Sequence, residues 1–402
     1  MAYLVLVTVQ PRRERRADPS PVDLAPSVGV ATPAAAPRPW SVDRVQRGVR
    51  RRLGLATDVI RDQVILPVAA RNAFLASVYY AIGSRDFRRE HLATLRGRWR
   101  YRAQQGELGR HEYLLRRNVH MLEKGLVMRP RRPVFALDYI NATVVCYGAV
   151  RALAANDPEA VDERQLHWAN DVLTTYFSVV GPHKTIDKVR ARWDAIEPLA
   201  PQSAALIELA APYQRALDAA PPVRYDDLHR LALRRRSVRW FLPRPVPREL
   251  IDQAFEIAAL SPSACNRQPF EFRVFDDPES VARVATIPKG TRGFAQGFPA
   301  FAVVVGRMSA FFSERDRHLI YIDGALASMS FVLGLESLGL ASCLINWSDQ
   351  PEPERAMAEA LGLAPDERPV VCIAFGYPDP DGMVPFSEKR PLDRLRRYAT
   401  PS

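Results

Sequence analysis

Strand-like apolar runs are concentrated in the second half of this chain. Phe270–Phe275 alternates apolar and polar residues, whereas Phe301–Val305 and Val370–Phe375 are continuous apolar runs. Period-two alternation and short apolar runs both predict β-strands. Helical patterns accompany these runs at Asp226–Arg235, Pro247–Leu260 and Ile320–Leu338. We therefore expect an α+β fold in which a central, largely antiparallel sheet is flanked by helices.

The first half of the chain has helical patterns and few strand signals. Apolar residues recur at spacings of three and four from Thr57 to Leu217, and Gly and Pro residues interrupt the pattern. This predicts an all-helical domain of roughly six helices over residues 57–220. Residues 1–56 are basic and rich in Pro and Ala without periodicity, which predicts a disordered tail. The pair Pro221-Pro222 marks the start of a second domain, residues 221–402.

The chain is strongly basic, and this limits the partners that we expect. Its 402 residues carry a net charge of +11, almost entirely from arginine. Such a charge is compatible with nucleic acid or anionic membrane. There is no basic stripe with interleaved aromatic residues, so we do not expect nucleic-acid binding. The basic segment around Arg50–Arg52 leaves a peripheral membrane contact open. No apolar run reaches the roughly 18 residues of a membrane span.

Cysteine and histidine patterns favour a reducing compartment and no metal site. The four cysteines lie far apart, and Cys343 and Cys372 fall in apolar runs typical of buried thiols. We therefore expect a cytoplasmic protein. The helical region also holds three carboxylate–imidazole pairs at helical spacing: Glu107/His111, His120/Glu123 and Glu163/His167. Their spacing differs from that of di-iron bundles, so ordinary surface pairing is the expected role.

Two polar motifs at the start of the second domain predict a site for a phosphorylated, flat ligand. The run Arg235–Arg239 places three arginines and the Ser237 hydroxyl at the end of a helix. Forked arginine donors match the oxygens of a phosphate. The loop Ser261–Pro269 is small, polar and bounded by proline, and such a loop presents backbone donors and acceptors to a heteroaromatic ring.

Together these motifs resemble those of the flavin-dependent nitroreductase superfamily. Their residues are most similar to those of its iodotyrosine deiodinase branch. Further motifs of the superfamily follow in order over about residues 225–397: Tyr321–Ala325, Gly339–Cys343, Phe375–Pro378 and Val384–Leu392. The resemblance implies the superfamily's α+β fold for this region and an FMN cofactor. It does not extend to the residues before Tyr225.

The resemblance also implies roles for individual residues. Arg235 and Ser237 would bind the FMN phosphate, and Arg239 would lie beside the N1–O2 edge of the ring. The loop would line the ring with backbone groups, and a segment containing Asn346 would meet flavin N5 where the deiodinase-like branch has a hydroxyl residue. Either Lys389 or Arg390 would return to the phosphate. The expected cofactor-binding residues are Arg235, Arg236, Ser237, Arg239, Pro262, Ser263, Ala264, Asn266, Gln296, Ile345, Asn346, Lys389 and Arg390.

By the same resemblance, we expect a homodimeric oxidoreductase. Electrons would pass in ping-pong order from NADH or NADPH to FMN, and then to a small organic acceptor such as a nitro compound or a quinone, without a catalytic side chain. Two alternatives stay open. The chain could be a degenerate flavin-binding module, or a peripheral assembly protein whose helical domain carries the function.

The helical domain itself has two interpretations. It could cover the flavin as a lid, with a basic wall around Arg116, Arg117 and His120 that suits an anionic or acidic acceptor. It could instead only enlarge the dimer interface. The segment His120–Leu126 reads as the end of a helix, with Gly125 as its left-handed cap.

Overall fold

The computed structural model describes residues 61–84, 86–103, 108–196, 199, 210–214 and 221–399. The predicted disordered tail, residues 1–56, lies outside these ranges, as does Glu107. The chain divides into two units, Met1–Ser77 and Val78–Ser402. The described part of the first unit contains a π-helical turn, Arg61–Ile65, the short helix Leu66–Ala69 and most of the helix Ala73–Val78.

The predicted helical region is confirmed in the second unit. A π-helical turn, Tyr79–Gly83, precedes five longer helices of the described residues: α1 Arg88–Ala103, α2 Leu108–Val127, α3 Ile140–Asn156, α4 Glu163–Val179 and α5 Lys184–Asp194. The apolar faces of α2 to α5 share one core that includes Leu122, Tyr147 and Tyr176. The Tyr176 hydroxyl donates to the Phe135 carbonyl at 2.9 Å, so this buried ring has its polar group satisfied.

One local prediction in this region is wrong. Helix α2 continues past Gly125 to Val127, and Gly125 is not among the glycines with positive φ. A left-handed cap is therefore absent at this position. The glycine is needed for space instead, because an added methyl group would overlap the Phe135 ring, which packs directly on the helix backbone.

The predicted α+β fold is confirmed in the second half. Four antiparallel strands form one sheet in the order β1-β2-β4-β3: β1 Phe270–Phe275, β2 Ala300–Arg307, β3 Ala341–Asn346 and β4 Glu367–Gly376. The flanking helices are α6 Tyr225–Arg234, α7 Arg248–Ala259, α8 Pro278–Ala285, α9 Leu319–Ser337 and α10 Pro351–Leu361. A last short helix is Leu392–Leu395.

The sheet has a core on each face. On one face, Phe331 of α9 packs with α7 residues and with Phe375 of β4. On the other face, α8 and α10 pack over Cys343 and Cys372. Both cysteines are buried, which confirms their prediction as core thiols. Central strand β2 is buried from Ala300 to Gly306, as its continuous apolar run predicts.

Helix α9 is the most apolar helix of the sheet region. The stretch Glu314–Ser337 is long and apolar enough to cross a membrane by length and composition, contrary to our reading of the sequence, and half of its most apolar 18-residue window is buried. Residues of this helix, including Phe331 and Leu335, pack in the core against the sheet, and core helices pass the same test. The turn after it needs Gly339, whose φ of +79° is in the left-handed region that favours glycine.

A small apolar cluster joins the first helix to the sheet region. Ala93 of α1 packs with Met308, Phe311 and Ile320. At Gly97, an added Cβ would lie 2.5 Å from the Met308 Cβ, so the two backbones can approach only because this residue is glycine. The helical region and the sheet region are therefore in direct contact within the second unit.

Candidate functional site

The predicted phosphate-binding run lies along the outer edge of strand β3. Helix α6 ends at Arg234, whose guanidinium pairs with Glu336 at 2.9 Å. The chain then becomes extended, and Ser237 pairs in parallel with Ser342. The Val238 N–H donates to the Ser342 carbonyl at 3.0 Å. This pairing fixes the backbone from which the three arginines project.

The arginines of this run have no carboxylate of the described residues within ion-pair distance. Arg235, Arg236 and Arg239 are half-buried, and the nearby Glu336 forms its ion pair with Arg234 instead. Burial raises the pKa of the Cys343 thiol, while Arg239 and Arg235 oppose this shift, so both guanidiniums lie near the start of β3. Half-buried guanidiniums without an ion-pair partner are chemically suited to bind an anion.

Two aromatic residues that are close in sequence to other predicted positions contact the arginines of this run. The Arg239 guanidinium stands 5.7 Å from the centre of the Phe294 ring, two residues before Gln296. Arg236 donates to the Phe386 carbonyl at 3.2 Å, which holds the C-terminal segment beside the run. Gln296 is exposed.

The remaining predicted residues at this end differ in exposure. Lys389 and Arg390 are exposed and lie a few residues beyond Phe386. Ile345 is 4% exposed and belongs to the core under the sheet, so only its backbone can face a ligand. Asn346, at the end of β3, is exposed. Because β3 is an edge strand of the described sheet, it can offer backbone groups to a ligand.

The second predicted motif, the loop Ser261–Pro269, has an unusual backbone. Cys265, Asn266 and Gln268 have φ values of 52°, 50° and 49°. Each such residue costs roughly 1–3 kcal/mol, and such conformations cluster at functional sites. The Ser263 hydroxyl accepts from the Gln268 N–H at 3.1 Å, and the Gln268 amide donates to the Asn266 side chain at 2.9 Å. Asn266 therefore has a loop-holding contact in this structure, while Pro262 is exposed.

Two buried charged residues that the sequence analysis did not assign hold this loop in place. Asp323 of α9 is 2% exposed and accepts from the Ala264 N–H at 3.0 Å. Arg267 is also buried and donates to the Ala310 carbonyl at 2.6 Å, with its guanidinium over the Phe311 ring. Burial raises the pKa of Asp323, against the Ala264 N–H and the charge of Arg267. A signal was available for Asp323, since it is a lone acid among apolar residues within a helix.

The two motifs lie at opposite ends of helix α9 in a single chain. The loop is bonded to Asp323 near the first turn, whereas the phosphate-binding run follows Arg234, which is bonded to Glu336 in the last turn. At 1.5 Å per residue, these two acids are about 20 Å apart along the helix axis. The structure therefore brings the predicted residues together as two groups rather than as one.

The basic wall that we expected on α2 lies against the loop, but its arginines are engaged within the protein. The Arg116 guanidinium donates to the Asn266 carbonyl at 2.9 Å. Arg117 lies over the Phe312 ring at 5.7 Å. The ring of His120 is 3.3 Å from the carboxylate of Glu123, as ordinary surface pairing predicts. Within the described residues, no group of three or more metal-binding side chains is found.

Comparison with known proteins supports the family assignment for this half of the chain. The Nitroreductase family model matches residues 232–291 and 286–377. Iodotyrosine deiodinase 1 of Pongo abelii is 21% identical over 197 residues, which cover 43% of this chain and 68% of that protein. A protein of Archaeoglobus fulgidus, provisionally named an NADH dehydrogenase/NAD(P)H nitroreductase, is 27% identical over 165 residues, which cover 40% of this chain and 92% of that protein.

A solved structure is among the proteins to which this chain is similar. It is an FMN-dependent nitroreductase from Clostridium difficile, 22% identical, with a TM-score of 0.37 and coverage of 42% of this chain and 98% of that one. The family model confirms the resemblance to the nitroreductase superfamily, whose members are flavin-dependent oxidoreductases, for residues 232–377. The family model does not extend to the helical region.

Proposed function

We propose that this protein is an FMN-dependent oxidoreductase that accepts electrons from NADH or NADPH and passes them to a small organic acceptor. The observation that carries the proposal is the group of half-buried guanidiniums of Arg235, Arg236 and Arg239, none of which forms an ion pair with a carboxylate of the described residues. A phosphate monoester supplies the missing negative charge and accepts forked hydrogen bonds. The family match makes FMN the ligand that fits this chemistry.

The residues of the cluster have separate roles in this proposal. Arg235 and the Ser237 hydroxyl hold the phosphate, with Lys389 or Arg390 closing the site from the C-terminal segment. Arg239 lies further along the run and places a positive charge beside the ring edge, where it stabilises the anion of the reduced cofactor. Gln296, two residues after the Phe294 ring that Arg239 contacts, would lie near the pyrimidine edge of the ring.

FMN, when bound, supplies the hydride and electron chemistry. The chain's own residues would position it: Asn346 and the backbone of Ile345, at the end of edge strand β3, would face the ring. In ping-pong order, the nicotinamide donor leaves before the acceptor enters the same position. No side-chain acid or base is needed at the reacting atoms, and Cys265 has no assigned part in the reaction.

We further propose a two-fold homodimer, in which each flavin site is completed by the partner. Helix α9 exposes Ile322, Leu326 and Met329 at positions that share one helical face. Antiparallel contact of two α9 helices near Met329 would place the Asp323 end of one beside the Glu336 end of the other. The loop Pro262–Asn266 of one protomer would then meet the phosphate-binding run of its partner.

We propose the electron acceptor only as a chemical class. The two relatives are named for different reactions, and neither name assigns a substrate to this chain. A small nitro compound, a quinone or a related molecule fits the family chemistry, and the basic surroundings favour an anionic one. We place the protein in the cytoplasm, where its cysteines stay reduced, and we propose a boundary between the helical and FMN-binding domains near Pro221.

An absorbance spectrum of the purified protein, followed by anaerobic titration with NADH and NADPH, tests the proposal. We expect a flavin spectrum that is bleached by at least one of the two donors and restored by a nitroaromatic or a quinone. A flavin spectrum that neither donor bleaches would support the degenerate flavin-binding module. The absence of FMN binding after incubation with the cofactor would refute the proposed function.

A further inference from the structure

Arg116 of the helical region connects three parts of the molecule. It is 9% exposed, and its Nε–H donates to the Asn266 carbonyl at 2.9 Å. Its Nη1 donates to the Gln165 side chain on α4 at 2.6 Å. The same guanidinium stands 5.8 Å from the centre of the Trp168 ring, also on α4. The side chain therefore has one orientation, which is fixed by α4 and directed at the loop.

The carbonyl that Arg116 contacts belongs to the strained part of the loop. Asn266 lies between Cys265 and Gln268, and all three have left-handed backbone angles. Strain of this kind persists only where the surroundings over-determine the conformation. Contacts from the sheet region hold Ala264 through Asp323 and position 267 through Ala310. The contact to Asn266 comes from the helical region and is charge-assisted.

The guanidinium of Arg116 is buried, and the side chains around it fix its position against the Asn266 carbonyl. The indole N–H of Trp168 donates to Glu123 at 2.9 Å, so the aromatic wall behind Arg116 is itself fixed. Burial lowers the pKa of Arg116, and the charges of Glu112 and Asp162 oppose that shift, so acids near the guanidinium favour its charged form. A fixed cation at 2.9 Å also polarises the peptide that contains the Asn266 carbonyl.

We propose that Arg116 is a positioning residue for flavin binding, and that the helical region acts on the flavin site through this contact. The inference rests on the proposed function, because the loop is assigned to the flavin ring. It goes beyond that function by giving the helical region, which the family model does not cover, a defined role. Arg116 acts through the loop and does not touch the ring.

Three full-length variants test the proposal. Arg116→Met keeps the length of the side chain and removes its donors, and Arg116→Lys keeps a cation that can reach one acceptor. Arg117→Met is the matched control, since Arg117 is the next residue, stacks on Phe312, and donates to Asn118 rather than to a loop residue in the described part of the chain. Two readouts are needed: FMN affinity with the visible circular dichroism of bound FMN, and hydrogen exchange of the loop amides without FMN.

We expect Arg116→Met to weaken FMN binding about tenfold or more, as loss of a charge-assisted hydrogen bond predicts. The visible circular dichroism of its bound flavin should change, and amides 264–268 should exchange faster. Arg116→Lys should lie between this variant and the natural chain, and Arg117→Met should match the natural chain. If Arg116→Met fails to fold, the FMN affinity and the loop exchange of Arg116→Lys still test the contact.

Two failures can be told apart. If the natural chain binds FMN, and both Arg116 variants keep its affinity, its dichroism and slow loop exchange, the positioning role is wrong while the proposed function stands. If the natural chain binds no FMN, the proposed function is wrong. Loop exchange then still shows whether Arg116 holds the loop, and unchanged exchange would overturn that part as well.

Discussion

Asp323 offers the sharpest stability test, because a single buried carboxylate connects the long helix to the loop. It is 2% exposed and accepts the Ala264 N–H at 3.0 Å. Replacement by alanine leaves that N–H without its acceptor, which costs about 1–3 kcal/mol. Asp323→Asn keeps an oxygen in the same position and removes a buried negative charge, so we expect it to change stability by less than about 1 kcal/mol.

The two replacements also differ in how their effect depends on pH. Burial raises the pKa of Asp323 above its ordinary value of 3.8, so the folded chain binds the proton more tightly than the unfolded chain. The stability of the natural chain relative to Asp323→Asn is then constant below that ordinary value. It falls as the pH rises through the raised pKa of the folded state.

Urea unfolding of the natural chain, Asp323→Ala, Asp323→Asn and the surface control Asp252→Asn, measured from pH 4 to pH 8, tests both statements. The control carries the same chemical change on an exposed residue of α7. The account of the loop would be refuted if Asp323→Ala were as stable as Asp323→Asn at pH 7. It would also be refuted if the natural chain gained stability relative to Asp323→Asn as the pH rose.

Three further changes test other parts of the account. Arg239→Ala should lower the flavin midpoint potential and slow reduction by NAD(P)H, measured by anaerobic dye titration; an unchanged potential would rule out a place for Arg239 at the ring edge. Leu326→Asp puts a charge on the exposed face of α9 and should give monomers in light scattering, whereas a mass equal to that of the natural dimer would contradict the proposed interface. Gly376→Ala should destabilise the sheet region by about 1–3 kcal/mol in urea unfolding, because its methyl group would overlap Pro299, and natural stability would show that the strand end can shift.

Local patterns in the sequence predicted most elements of the sheet region, although helix α10 was not predicted and strand β3 was visible only as an apolar run at Cys343. Strand β1 has the predicted bounds Phe270–Phe275, and α9 differs from its prediction by one residue at each end. These elements are long or strongly patterned, so their apolar periodicity reflects burial directly. The motif Arg235–Arg239 was also visible, because forked donors with a hydroxyl are a local feature of the sequence.

Contacts between distant parts of the chain were less predictable. Gly125 looked like a helix cap because glycine often ends helices, but its role depends on a ring at Phe135 that no local pattern shows. Likewise, Arg116 was visible only as part of a basic helix, and its bond to Asn266 joins residues 150 positions apart. The separation of the two flavin motifs along α9 is equally a property of the fold rather than of either motif.

The central claim is that Arg235 and Ser237 bind the phosphate of FMN. Fluorescence titration of the natural chain with FMN and with riboflavin, repeated on the double variant Arg235→Ala/Ser237→Ala and on the surface control Arg248→Ala, tests it most directly. We predict that the natural chain and the control strongly prefer FMN, and that the double variant loses about 10²-fold in FMN affinity with little change for riboflavin. Equal FMN affinity in the double variant and the natural chain would contradict the claim.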